Sequence, residues 1–104
     1  MRADLHERFA SWLERAAGAR IAEFEEIVGY HLELAYRCLA ELGPVDEHGQ
    51  AIAARASMRL GAAGRRAFDR GDLPAAASLL TRAKDLRSAP DPARVELLPS
   101  SVRC

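Results

Sequence analysis

Three histidines and two cysteines, His6, His31, His48, Cys38 and Cys104, are the only soft or borderline metal ligands in the chain. His31 and Cys38 stand two turns apart on one helical face, roughly 10 Å distant. That is too far to share one zinc ion without ligands from another element. No HExxH or CxxC spacing occurs. His31 therefore reads as a core histidine bonded to a neighbouring helix, with a pH-sensitive contact as its functional alternative. Gly61-Ala62-Ala63-Gly64-Arg65-Arg66 has the glycines and bases of a phosphate loop, but it lies within a helical pattern and lacks the Lys-Ser or Lys-Thr ending. A close helix crossing explains it better. Ser11, Ser57 and Ser78 sit in no nucleophile motif, and no Gly-x-Ser-x-Gly elbow occurs. No catalytic, cofactor or metal residue can be assigned, and no enzyme activity is expected. Arg55, Arg59, Arg66 and Arg70 remain, stepping along one helical stripe that could track phosphates. No exposed aromatic residues interleave with them, and Asp69 and Asp72 lie close by. A solvated face carrying ion pairs is the default, with an acidic protein segment or nucleic acid as the ligand if the stripe binds anything.

Positioning these residues requires helices. Asp4-Leu5-His6-Glu7 fits a helix start with Asp4 as cap and Glu7 three residues on. Leu5, Phe9, Trp12, Leu13 and Ala16 follow at helical spacing, with Trp12 as packing anchor, and Gly18 ends the helix. A second helix is expected from about 21 to 42, burying Phe24, Ile27, Val28, His31, Ala35, Cys38, Leu39 and Leu42. Gly43-Pro44 stops it. Tyr30, Leu34 and Arg37 point to another side, which a further element or a partner would cover. Asp46 caps a third helix, about 47 to 70, burying Ile52, Ala53, Ala56, Leu60, Ala63, Ala67 and Phe68. A fourth runs from Leu73 to about Arg87, and Asp91-Pro92 opens a fifth over 91–98. Residues 100–104 read as a frayed tail.

The organising stretch is 64–83. Gly71 supplies a positive-φ break between the third and fourth helices, Asp72 caps the fourth, and Pro74 sits in its first turn. Gly64, Ala67, Ala76 and Ala83 provide small faces, and Phe68, Leu79, Leu80 and Leu86 the large side chains that fill between them. Gly64, Phe68, Gly71, Asp72, Ala76, Leu80 and Ala83 together resemble a tetratricopeptide-type repeat. The expected fold is all-α: antiparallel helix pairs stacked as a short, right-handed, tetratricopeptide-like solenoid. Residues 1–99 form one domain, with an irregular pair over 1–43, the repeat-like pair over 46–88 and the start of a further helix at 91–98. Such repeats bury a continuous core only when stacked, and about three are needed. Exposed apolar surface is therefore expected at the C-terminal end, covered by a further repeat, a second copy or another subunit.

Composition narrows the partner class. The 104 residues carry fifteen bases and fifteen acids, a net charge of zero, so no global field favours nucleic acid or a membrane. No apolar run approaches the roughly 20 residues needed to span a bilayer. The N-terminus lacks the apolar core of a signal peptide. Two cysteines are poor grounds for a disulfide framework, and a reducing cytoplasm is the natural compartment.

A more particular likeness lies in the first half. Leu5-His6-Glu7-Arg8-Phe9-Ala10-x-Trp12-Leu13 is followed by Glu26-Ile27-Val28-Gly29-Tyr30-His31-Leu32-Glu33-x-Ala35-Tyr36, then by Glu41-Leu42-Gly43-Pro44-Val45-Asp46. Over about residues 5–99 the chain resembles the helical arm of large bacterial, often actinobacterial, signalling ATPases described as adenylate/guanylate cyclases or LuxR-like regulators. In that family a switch ATPase core and a winged-helix segment precede the arm. The resemblance implies a non-catalytic regulatory or protein-interaction module whose partner is a protein, a peptide or the rest of a longer parent chain. No P-loop, no pair of cyclase aspartates and no helix-turn-helix occurs here, so none of those activities falls on a residue of this chain. The family arm continues where this sequence ends in Ser100–Cys104, which suggests a fragment of a longer parent. A small nucleic-acid-binding module using the arginine stripe is the alternative.

Overall fold

The computed structural model describes residues 2–87, and every regular element among them is helical. The helices are α1 (Arg2–Ala17), α2 (Glu25–Leu42), α3 (Glu47–Asp69) and α4 (Leu73–Arg87). The expected helix at 91–98, the tail at 100–104 and Cys104 lie outside the described residues. No helix among the described residues is long and apolar enough to cross a membrane.

Three breaks set the chain's course. Gly18, at φ 52°, ends α1. The chain then winds as a 3-10 segment from Gly18 to Phe24, so α2 begins at Glu25 rather than 21. In a 3-10 turn side chains at i and i+3 eclipse. Arg20 and Glu23 use that geometry, pairing at 3.1 Å, while Arg20 also lies over the Phe24 ring at 5.9 Å. Ile21 and Phe24 hold the segment against the core. Before α3, the Asp46 carboxylate accepts from the Gly49 N–H at 3.0 Å, the expected cap. After it, Gly71 takes φ 85°. The Gly71 N–H donates to the Phe68 carbonyl at 3.0 Å and the Asp72 N–H to that of Ala67 at 2.9 Å, the paired bonds of a Schellman turn. Asp72 then caps α4 by accepting from the Ala75 N–H at 3.2 Å.

Small residues bring the later helices together. A methyl group on Gly64 would lie 2.8 Å from Leu80 Cγ and 3.3 Å from Leu79 Cβ, so α3 and α4 nest closely there. Ser57 reinforces the contact by donating to the buried carbonyl of Ala83 at 2.8 Å. Gly29 plays the same part between α2 and α3, against Leu60. The core they enclose is built mainly from Val28, Leu32, Ala35, Tyr36, Ile52, Ala56, Leu60, Ala67, Leu79 and Leu86.

Several expected core residues lie elsewhere. Phe68 is 60% exposed and Leu80 40%, because the core side of the α3–α4 pair is filled by Ala67, Leu79, Ala83 and Leu86. Leu42 and Ile27 are exposed, and α2 instead buries Gly29, Leu32, Glu33 and Tyr36. Asp4 does not cap α1, which begins at Arg2; it pairs with Arg8 at 3.1 Å. Cys38 is buried and is not a free thiol, contrary to the expectation drawn from the cysteine pair.

Candidate interaction surface

Helix α1 carries its polar groups inward and its large apolar groups outward. Among its described side chains only Ala3 and Ala10 are buried, and Leu13 is half-buried against the core. Trp12 was expected to anchor the packing, yet it is 54% exposed, beside Leu5 at 61% and Phe9 at 40%. The cause is the opposite face. Glu7 and Glu14, seven residues apart, both turn towards α3. Glu14 bridges two arginines, with Arg55 Nη2 donating to one carboxylate oxygen at 2.8 Å and Arg59 Nε to the other at 3.0 Å. Arg59 Nη1 also reaches Glu25 at 3.4 Å, and Arg55 Nη2 reaches Ser11 Oγ at 3.3 Å. Glu7 Oε1 meets His48 Nε2 at 2.9 Å. These charged side chains are about one-seventh to one-third exposed apart from His48, so the ion pairs are only partly screened by water.

On the α2 side, His6 Nδ1 and His31 Nδ1 approach to 2.9 Å, within hydrogen-bond distance. One ring must donate and the other accept, so the bond cannot survive protonation of both. Burial and the neighbouring His6 hold the His31 pKa below its ordinary value. His31 therefore bonds to a neighbouring helix, as its place in the sequence suggested, although it is half-buried rather than in the core.

Around this bond lies a continuous array of rings. Phe9 packs edge-on against His31 at 4.7 Å between centroids, Tyr30 does so at 5.3 Å, and Trp12 lies 6.0 Å from Phe9. Tyr30 and Ile27 on α2 are about as exposed as Trp12. The result is a shallow apolar surface spanning α1 and α2.

The arginine stripe is divided. Arg55 and Arg59 are engaged with Glu14 and Glu25 inside the α1–α3 contact, while Arg66 and Arg70 lie exposed, with Arg70 3.8 Å from Asp72. The four therefore do not form one open basic surface. Of the repeat residues, Gly64, Ala76 and Ala83 are buried, Gly71 and Asp72 form the turn, and Phe68 and Leu80 lie largely at the surface. Another charged centre was not anticipated. Glu33 of α2, 4% exposed, accepts from Arg82 Nε of α4 at 3.1 Å and from Arg37 at 3.2 Å.

Among the described residues no three His, Cys, Asp or Glu side chains converge as metal ligands. The inverted face of α1 had a signal in the sequence. Acids at 7 and 14 oppose bases at 55 and 59, while Ala3, Ala10 and Ala17 line the same side. Comparison of the chain with protein-family models, curated proteins and solved structures finds no match.

Proposed function

We propose that the chain is a non-catalytic protein-interaction module. In this reading its antiparallel helix pairs stack with tetratricopeptide-like geometry as part of a regulatory arm. The resemblance of its first half to the arms of bacterial signalling ATPases supports a role in conveying partner binding to a larger protein. One observation carries the reading: Leu5, Phe9 and Trp12 of α1, together with Tyr30 of α2, form an exposed surface, while the inner face of α1 is already satisfied by ion pairs. An exposed patch of aromatic residues is costly in water and is typical of a surface that another protein covers.

Placing a photo-activated benzophenone side chain at position 12 in living cells tests it. A discrete protein adduct is expected, lost when Phe9→Ser removes the neighbouring ring. Adducts to nucleic acid alone, or none from position 12, would overturn the proposal. The arginine-stripe alternative requires salt-sensitive binding to mixed-sequence DNA that Arg66→Glu abolishes.

A further inference from the structure

We infer that His6 of α1 and His31 of α2 form a two-imidazole site for a divalent transition-metal ion, Cu(II) above all. The site lies on the α1–α2 contact and stands independently of the protein-interaction reading.

A metal at His31 needs a ligand from another element, because Cys38 is two turns away along α2. Helix α1 supplies it. The Nδ1 atoms of His6 and His31 lie 2.9 Å apart, with the ring centroids at 5.1 Å. Two imidazole nitrogens each about 2.0–2.1 Å from one ion are roughly 2.9 Å apart when they subtend a right angle. A tetrahedral ion would need them roughly 3.3 Å apart. The observed separation matches neighbouring ligands of a square-planar or tetragonal ion, the geometry of Cu(II) and Ni(II). Of these, Cu(II) binds nitrogen more tightly.

The surroundings narrow the ion further. Phe9 and Tyr30 pack edge-on against His31 and bring no carboxylate. The acids of α1 are engaged elsewhere: Asp4 with Arg8, Glu7 with His48, and Glu14 with Arg55 and Arg59. Oxygen-seeking Ca2+ and Mg2+ therefore find no ligand set here. Both histidines are half-buried, so water can fill the remaining positions around the ion. In the metal-free pair one Nδ1 carries the proton that the other accepts. Binding moves that proton, through solvent, to Nε2 of the same ring. Both rings then turn outward until their Nδ1 lone pairs meet at the ion, and both stay neutral.

Cu(II) titrated into the full chain is the probe. Electron paramagnetic resonance should show one ion per chain with two directly bonded nitrogens. Trp12, whose ring lies 6.0 Å from that of Phe9, should be quenched in step. The ion bridges α1 and α2 only in the folded chain, so a tenfold excess over its Kd should raise Tm by roughly 5–10 °C. His6→Ala and His31→Ala should each weaken binding at least about tenfold and abolish the rise. His48→Ala should leave both intact. Should His31→Ala fail to fold, His6→Ala, checked by its helical circular dichroism, still decides. Full-strength binding in folded His6→Ala, a single bonded nitrogen, or no bound ion overturns the site. A rise in Tm as large with Mg2+ or Ca2+ overturns the assigned class of ion.

Discussion

Gly29 of α2 lies so close to Leu60 of α3 that a methyl group there would sit 2.8 Å from the leucine Cδ2 and 3.1 Å from its backbone nitrogen. Leu60 is fully buried and its backbone cannot withdraw, so the two helices would have to separate. Gly61 offers the opposite case, where an added methyl group meets only Ala83 Cβ at an ordinary 3.8 Å. Gly29→Ala should therefore destabilise the chain by about 1–3 kcal/mol despite its gain in helix propensity. Gly61→Ala should stabilise it by about 0.5–1 kcal/mol. Thermal melts of the two variants check this, with Tm moving in opposite directions.

Glu14 is the hinge of the ionic contact between α1 and α3. Glu14→Gln leaves Arg55 and Arg59 facing a neutral amide and should cost about 1–2 kcal/mol at low ionic strength. Urea midpoints at low salt and in 1 M sodium chloride measure it. The gap between wild type and variant should narrow at high salt, because the pairs are partly open to water.

The His6–His31 bond sets a pH dependence. Burial, then His6, lowers the folded His31 pKa below its ordinary 6.5, while Phe9 and Tyr30 offer rings but no counter-charge. The unfolded chain therefore binds more protons as pH drops below 6.5, and stability falls in that direction. The contribution is fully present above 6.5 and is lost as pH falls through the depressed value. His31→Asn should flatten the decline in urea midpoint between pH 7 and pH 5.

The hydroxyl of Tyr36 is buried without a hydrogen-bond partner among the described residues, and burial raises its pKa. An unsatisfied buried hydroxyl costs free energy that its removal recovers. Tyr36→Phe should raise stability by about 1 kcal/mol, seen as a higher Tm with an unchanged helical circular dichroism spectrum.

Much of this architecture could be read from local signals. Asp46, Gly71 and Asp72 act over three or four residues through backbone geometry, and the structure places a cap or a turn at each. Periodicity was less informative about which face turns inward. On α1 the stripe through Leu5, Phe9 and Trp12 and the stripe through Ala3, Glu7, Ala10 and Glu14 are both helical in period. Hydrophobicity favours burying the first. The choice is made by Arg55 and Arg59, more than forty residues away, which draw the acidic stripe inward. The same holds for Glu33, whose burial depends on Arg82, a residue with no local mark of that role. The exposed apolar surface of α1 was legible only once partners distant in sequence had been placed.

The bridge from Glu33 to Arg82 has a consequence for how the molecule comes apart. It ties α2 to α4, and the Glu14 contacts tie α1 to α3, so each set of charges spans an intervening helix. A stack joined only through adjacent neighbours can fray from either end one layer at a time. Here, detaching an outer helix strands charges on the helix two places inward, so the four should melt cooperatively, as an interlocked whole.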